Sequence, residues 1–183
     1  MTKKWEPWNE SNAWKSKAEF FTWLRGGLRK TIWQFYPPKN EFKASMLRKA
    51  TKEDYVNGIH PRTKKVGQCV KCKEWMGGSK LQVDHIINAG SISDEEHIKS
   101  FVMNLACSKD DMQLVCVPCH KAMTYADKMG VSYEEAVIEK QAIEYCKKSV
   151  TEQKKILDSF GLPYNNADQR RQGFRELITE GKI

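Results

Sequence analysis

The sequence Cys69-Val70-Lys71-Cys72 is one of two C-x-x-C pairs in this chain, and Cys116-Val117-Pro118-Cys119 is the other. Each pair can present two thiolates to the same ion, and four thiolates suit one tetrahedral Zn²⁺. We therefore predict a zinc site formed by Cys69, Cys72, Cys116 and Cys119. Because four thiolates leave no open position for water, the role of this zinc is structural. The alternative is a set of reduced cysteines that bind no metal.

Four polar residues accompany the cysteines: Asp84 and His85 between the two pairs, Asp111 before the second pair, and His120 directly after it. The β-branched content of Leu81–Ile87 predicts a short strand, and Met112–Val115 reads as a second one. A helix is expected to start near His120. The resulting order is strand, connection, strand and helix, with zinc holding the ends together. Since neighbours on a strand point to opposite faces, one residue of the pair can hold a metal while the other addresses water.

These residues carry a family resemblance. The segment Asp84-His85-Ile86, together with Asp111 and Cys116-x-x-Cys119-His120-x-x-x-Thr124, resembles the zinc-knuckle form of the HNH (ββα-metal) endonucleases, small phage-encoded members in particular. The match extends to Gly90 and Cys107. The resemblance implies an α+β fold, in which a mostly helical chain surrounds a small zinc-pinned ββα-metal core. It also implies an enzyme that hydrolyses DNA phosphodiester bonds, by nicking or by double-strand cleavage.

The resemblance assigns a role to each polar residue. In the family, the His after the Asp is the general base, so His85 takes that role here. The Asp and the His after the last cysteine bind a divalent cation, which gives Asp84 and His120 as ligands of a catalytic Mg²⁺ or Mn²⁺. An imidazole near neutral pKa suits the activation of water, and Mg²⁺ binds through few protein ligands with waters and phosphate completing its shell. Thr124 lies where some members have another ligand.

One position departs from the family pattern. The family has an Asn whose side-chain oxygen orients the base histidine, and Asp111 aligns with it. A carboxylate can accept the same hydrogen bond and would raise the basicity of His85. Asn104 is an alternative for this role, although it falls in a predicted helix. We therefore count Asp111 among the catalytic residues.

The positive charge of the chain is concentrated before the first cysteine pair. The whole chain has a formal net charge of +8, yet residues 1–68 carry 15 Lys or Arg against 6 Asp or Glu, and residues 69–183 carry 16 against 17. Such an asymmetry predicts a segment that binds a polyanion, here double-stranded DNA, and the alternative is a solvated basic helix pair. The predicted DNA contacts are Lys43, Arg48, Lys49, Arg62, Lys64 and Lys65.

Three segments are expected along the chain. Residues 1–66 form a basic, Trp-rich helical arm, with one amphipathic helix from Trp14 to Phe35 that Gly26-Gly27 interrupts and a short basic helix over Glu41–Ala50. In that short helix, Phe42 and Met46 should face inward. Residues 67–128 form the nuclease core. Residues 129–183 form a helical extension that offers a surface to a protein partner.

Localisation is predicted from what the chain lacks. Its first residues, Met1-Thr2-Lys3-Lys4, show no apolar stretch typical of a secretory signal, and no run approaches the length of a membrane span. Cysteines in C-x-x-C pairs favour metal binding over disulfides. We expect a cytoplasmic protein without membrane association, located in the bacterial host if the chain is phage-encoded.

Two other functions compete with the endonuclease. One is a zinc-stabilised module on the same scaffold that binds nucleic acid or protein without cleavage. The other is a structural zinc ribbon, which needs only the cysteines and leaves Asp84, His85 and His120 unexplained. If the enzyme cuts both strands, a homodimer or two encounters are required, because one ββα site acts on one strand at a time.

Overall fold

The computed structural model describes residues 6–10 and 14–183, and the chain divides into two compact units, Met1–Cys116 and Val117–Ile183. The prediction of an α+β, mostly helical chain is confirmed, since helices dominate and the described strands form two small antiparallel sheets. The bounds of these units differ from the three segments 1–66, 67–128 and 129–183, which stay a prediction.

The first unit contains both sheets and a series of short helices. Its elements are, in chain order, α1 (Pro7–Glu10), α2 (Lys17–Leu28), a π-helical turn (Arg29–Trp33), α3 (Pro37–Ser45), β1 (Arg48–Lys49), α4 (Lys52–Val56), β2 (Lys65–Gln68), β3 (Trp75–Gly77), β4 (Leu81–His85), α5 (Glu96–Leu105) and β5 (Met112–Cys116).

The helix predicted from Trp14 to Phe35 corresponds to α2 and the π-helical turn, and its regular geometry is interrupted at a different place from the one predicted. α2 begins after Ser16, whose hydroxyl accepts a hydrogen bond from the backbone N–H of Glu19 at 3.2 Å. It continues through Gly26-Gly27, and apart from the neighbouring residues and backbone of the helix itself, no described atom lies within 4 Å of the point where a Cβ would stand on either glycine. The irregularity follows at Arg29–Trp33, where the π-helical turn shifts the direction of the side chains after it. The predicted interruption is therefore displaced by one turn.

The predicted helix over Glu41–Ala50 is wrong in both of its bounds. The proline pair Pro37-Pro38 opens α3, because a proline in the first turn lacks only an N–H that has no helical partner. The helix ends at Ser45, and Arg48 and Lys49 instead form β1. Met46, expected to face inward, is 41 % exposed.

The two sheets are small and antiparallel. Strands β1, β2 and β3 form one sheet in that order, with Lys49 opposite Lys65. Strands β4 and β5 form the other, with His85 opposite Met112. Along β4 the residues alternate between buried and half-buried, and His85 falls on the buried side. The two predicted strands of this pair are confirmed, although β4 ends at His85 and does not reach Ile87.

Helix α5 closes the core of the first unit. Its residues Phe101 and Leu105 are almost completely buried, and they pack with Phe21 of α2. The spacing Ser93-x-x-Glu96 predicts a capping box at the start of α5, and this prediction is wrong. The Asp94 carboxylate caps the helix instead, accepting hydrogen bonds from the N–H groups of residues 96 and 97 at 3.1 Å each.

The second unit is helical. It contains α6 (Val117–Met129), α7 (Tyr133–Tyr145), α8 (Val150–Asp158) and α9 (Ala167–Thr179). Capping boxes open α7 and α8, and Leu157 and Phe174 are buried in the core that α8 and α9 share with α7. Glu139 of α7 is buried and accepts hydrogen bonds from Arg171 and pairs with Arg175 of α9. None of the described helices is long and apolar enough to span a membrane.

Candidate metal centre and active site

The four cysteines of the C-x-x-C pairs converge. Their sulfur atoms lie within 4.8 Å of one another, and Cys69, Cys116 and Cys119 are buried while Cys72 is exposed. Within residues 6–10 and 14–183, this is the one group of three or more His, Cys, Asp or Glu side chains placed to share a metal ion. The predicted metal-binding role of the cysteines is therefore confirmed as a geometry that can hold an ion.

Backbone geometry brings the cysteines together. In the first pair the chain turns back sharply, because the Lys73 N–H donates to the Cys69 carbonyl at 2.9 Å and the Cys69 N–H donates to the Glu74 carbonyl at 3.0 Å. Lys73 adopts a left-handed φ of 63° in this turn. In the second pair, Cys116 is the last residue of β5 and α6 follows without a loop. A strand end and a tight turn thus supply the two halves of the site.

The donor set fits Zn²⁺. The Cys116 N–H donates to the Cys69 sulfur at 3.3 Å, and an N–H of this kind stabilises a thiolate. Burial raises the pKa of Cys69, but the N–H groups of Cys116, Cys72 and Lys71 outweigh it and bring the pKa to about 7. Four sulfurs, one of them already close to ionisation at neutral pH, are the ligands that a structural zinc site requires. When bound, zinc would join β5 to the turn before β3.

His85 is buried and is held by two contacts. It is 9 % exposed, its Nε2 lies 3.0 Å from the carbonyl oxygen of Leu105, and its ring stacks on Trp33 with centroids 3.9 Å apart. Since a carbonyl can only accept, Nε2 must carry the hydrogen. In the neutral imidazole the lone pair therefore resides on Nδ1.

Nδ1 of His85 is the atom that faces water. No hydrogen bond joins it to another residue in the described part of the chain, and no fully buried side-chain nitrogen or oxygen there lacks a partner. Nδ1 must therefore retain contact with solvent although most of the ring is buried. This combination suits a proton acceptor, because the ring is fixed and its basic atom is accessible.

Asp84 lies on the other side of β4. It is half-buried, whereas His85 is buried, as the alternation of a strand requires. Its negative charge acts on Arg29 of the π-helical turn. The pKa of Arg29 is lowered by burial first and by Arg25 second, and Asp84 opposes both. The Arg29 guanidinium also lies 5.6 Å from the centre of the Phe101 ring.

Asp111 does not make the contact that the sequence suggested. Its carboxylate accepts a hydrogen bond from the Ser108 hydroxyl at 2.8 Å, and its backbone carbonyl accepts from the Ile86 N–H at 2.8 Å. The bond that orients His85 goes to the Leu105 carbonyl instead. The physical reason is position, because Asp111 lies on an exposed 3₁₀ turn before β5. A catalytic role for Asp111 stays a prediction without this contact.

His120 and Thr124 lie in the second unit, on α6. His120 is half-buried at the end of the first turn of the helix. The Thr124 hydroxyl donates to the His120 carbonyl at 3.0 Å, which ties that side chain to its own helix. Metal binding by His120 together with Asp84 stays a prediction.

Two of the six predicted DNA contacts have structural partners. The ammonium of Lys43 donates to the Leu81 carbonyl at 2.6 Å, and burial lowers the pKa of Lys43. The Arg48 guanidinium makes two hydrogen bonds to the Asp54 carboxylate, at 2.6 and 2.8 Å, and lies 4.1 Å from the Trp75 ring centre. Hydrogen bonding from Arg48 holds the pKa of Asp54 far below its ordinary value.

The other four predicted DNA contacts are exposed: Lys49, Arg62, Lys64 and Lys65. Lys49 and Lys65 face each other across the β1–β2 ladder. Like charges directly opposite each other in a ladder repel, so the pair is an unfavourable arrangement that an anion would relieve.

Sequence reasoning missed the surroundings of His85. Trp33 falls within the helix predicted from Trp14 to Phe35, but no role was predicted for it. The structure places it at the end of the π-helical turn, against the imidazole. A backbone carbonyl such as that of Leu105 leaves no signal in side-chain patterns. The chain matches no family model, no curated protein and no solved structure.

Proposed function

We propose that this chain is a metal-dependent endonuclease of the HNH type that hydrolyses phosphodiester bonds of DNA. The observation that carries the proposal is the state of His85, with Nε2–H held by the Leu105 carbonyl and Nδ1 accessible to water. A group of this kind accepts a proton from an attacking water molecule. The resemblance of Asp84-His85 and Cys116-x-x-Cys119-His120 to the family supplies the reaction class.

Each residue has a task in this proposal. Nδ1 of His85 takes the proton from water as the oxygen attacks phosphorus, and the Leu105 carbonyl stabilises the resulting imidazolium through Nε2–H. Asp84 and His120 would hold Mg²⁺ or Mn²⁺, which stabilises negative charge on the phosphate and on the departing 3′ oxygen. The four cysteines would bind a structural Zn²⁺ that keeps β5 and the first C-x-x-C turn in place.

Supercoiled plasmid is the substrate that tests this function. Wild-type protein with Mg²⁺ or Mn²⁺ should convert it to open circles, and EDTA should prevent the conversion. Retardation of the plasmid on a gel, with no conversion under any metal condition, would contradict the proposal. That outcome would favour the alternative, a zinc-stabilised binding module that holds nucleic acid without cutting it.

We propose that double-stranded DNA contacts the exposed lysines of the β1–β2 ladder. Replacing both Lys49 and Lys65 by Ala should weaken DNA binding and reduce the slope of log affinity against log salt by about 2, since each lost phosphate contact removes about 0.9. The pair is better suited to this test than Lys43 or Arg48, because those two side chains bond to the Leu81 carbonyl and to Asp54. Fluorescence anisotropy with a labelled duplex, titrated over a range of salt, measures both quantities.

The control for the lysine variant removes the same charge elsewhere. Lys154 and Lys155 are exposed on α8, so the variant with Ala at both positions has an equal net charge. It should retain the wild-type salt slope. An identical loss of affinity in the two variants would mean that net charge alone governs binding. It would contradict the proposed contact between DNA and the β1–β2 ladder.

A further inference from the structure

Two aromatic residues of the N-terminal segment pack near His85. Trp33 stacks on the His85 imidazole with an interplanar angle of 29°, and Tyr36 stacks on Trp33 at a centroid distance of 6.1 Å and an angle of 28°. Trp33 therefore contacts both of the other rings, and the Lys39 ammonium also lies over its ring, 5.1 Å from the centroid. Trp33 closes the π-helical turn, and Tyr36 directly precedes α3.

His85 and Tyr36 are both fixed to the same piece of backbone. His85 donates from Nε2 to the carbonyl of Leu105 at 3.0 Å, and the Tyr36 hydroxyl donates to the carbonyl of Cys107 at 3.0 Å. Leu105 is the last residue of α5, where carbonyl groups have no partner within the helix, and Cys107 follows two residues later. The chain at the end of α5 thus offers two carbonyls, which hold the two rings that Trp33 contacts.

We propose that Trp33 and Tyr36 are positioning residues that fix the imidazole of His85 in one orientation and one tautomer. This inference rests on the proposed function, in which Nδ1 of His85 accepts the proton from water. The ring of a histidine can rotate about its last side-chain bond, and a half-turn would put ring carbons where the two nitrogens lie and break the hydrogen bond from Nε2 to the Leu105 carbonyl. Stacking on Trp33 opposes the rotation, and the Tyr36 hydroxyl keeps Trp33 from moving away.

The consequence is that the N-terminal segment belongs to the active site. Sequence reasoning assigned residues 1–66 to a DNA-binding arm and predicted no catalytic residue in it. The contacts of Trp33 and Tyr36 instead make kcat depend on this segment. A small displacement of a reacting group can cost about 100-fold in rate, so even partial freedom of the imidazole should be measurable.

The first experiment compares variants of Trp33 under single-turnover conditions with plasmid DNA. Trp33→Leu keeps an apolar side chain but removes the flat face, and it should lower the rate of the chemical step by about 100-fold while KM changes little. Trp33→Phe keeps a flat face and should restore the rate to within about fivefold of wild type. The control is Trp23→Leu on α2, which removes a tryptophan that is 57 % exposed and should leave the rate unchanged.

A matched pair of variants isolates the tyrosine hydroxyl. Tyr36→Phe removes the bond to the Cys107 carbonyl and should lower the rate by about three- to tenfold. Tyr55→Phe removes a bond of the same kind, from the Tyr55 hydroxyl to the Thr63 carbonyl at 3.1 Å, also from a half-buried position. Among the described residues, no hydrogen bond or ring contact joins Tyr55 to His85, Trp33 or Tyr36. This control should therefore cleave at the wild-type rate.

A measurement without DNA tests the positioning of His85 by Trp33 and Tyr36, which we call the clamp, independently of cleavage. At about pH 8, above the ordinary imidazole pKa of about 6.5, ¹⁵N NMR distinguishes the two neutral tautomers. Wild-type His85, assigned by comparison with His85→Gln, should give the Nε2–H tautomer alone, and Trp33→Leu should give a mixture at an unchanged melting temperature and zinc content.

The outcomes of the two experiments are distinguishable. A wild-type chain that does not cleave DNA but shows the single tautomer would retain the clamp and sink the proposed function. The clamp alone would be overturned if wild type cleaves and Trp33→Leu is folded, cleaves equally fast and shows a single tautomer. A misfolded Trp33→Leu would leave Tyr36→Phe against Tyr55→Phe as the deciding comparison, and equal rates in that pair would overturn the role of Tyr36.

Discussion

Cys116→Ser should unfold the sheet-bearing unit at temperatures where the wild-type chain is folded. Cys116 supplies one of the four sulfurs of the cluster, and its N–H also donates to the Cys69 sulfur at 3.3 Å. Binding of Zn²⁺ to structural sites is worth about 10–16 kcal/mol in small zinc domains, whereas whole proteins are stable by only about 5–15 kcal/mol. A serine at this position weakens zinc binding, whose free energy is as large as the net free energy of unfolding.

Circular dichroism with temperature and metal analysis of the purified protein measure this effect together. We expect wild type to contain one zinc per chain and to lose its cooperative transition on treatment with a strong chelator, while Cys116→Ser contains little zinc from the start. Cys146→Ser is the matched control, since Cys146 is half-buried against the core of the second unit and lies outside the cluster. If Cys116→Ser melted like Cys146→Ser, the four cysteines would not form a structural zinc site.

Predictions from the sequence are correct where the local preference of a segment agrees with its tertiary contacts. The strands β4 and β5 follow from short β-branched segments, and each ends beside a residue of special chemistry, His85 in one case and Cys116 in the other. The convergence of the four cysteines is predicted from their C-x-x-C spacing, because each pair can present two sulfurs to one ion. These parts of the fold required no knowledge of the rest of the chain.

Prediction failed where a choice between equal local signals depended on tertiary contacts. Arg48 and Lys49 fit a basic helix by composition, but they pair with β2, and Arg48 bonds to Asp54. At the start of α5, Ser93 and Asp94 are both good caps, and only the path of the loop decides that Asp94 serves.

The candidate site likewise contains residues that could be predicted from the sequence and contacts that could not. Its polar members, Asp84 and His85, are visible because their residue types carry chemistry. The parts that define the state of His85 are a backbone carbonyl at Leu105 and a tryptophan placed by a π-helical turn, and neither has a pattern of its own in the sequence. The group that orients His85 was therefore predicted to be a side chain, that of Asp111. In the structure it is the main-chain carbonyl of Leu105.

His85→Gln should abolish cleavage while leaving fold, zinc content and DNA affinity close to wild type. Glutamine is the sharper choice over alanine, because its amide can still donate to the Leu105 carbonyl and lie flat against Trp33, whereas alanine leaves a cavity beside a buried core. Glutamine has no nitrogen that accepts a proton at neutral pH. General-base catalysis contributes about 10²–10⁴-fold, and the single-turnover rate should fall by that factor.

His97→Gln is the matched control, since His97 is exposed on α5 and bonds through Nδ1 to the Asp94 carboxylate at 2.6 Å. It should cut plasmid at the wild-type rate. If His85→Gln also did so, proton removal would belong to another group, and the burial of His85 would be explained by packing on Trp33 alone. If His85→Gln binds DNA as wild type does and fails to cut, then one ring, with one nitrogen held by a main-chain carbonyl and the other open to water, accounts for the difference between binding the duplex and hydrolysing it.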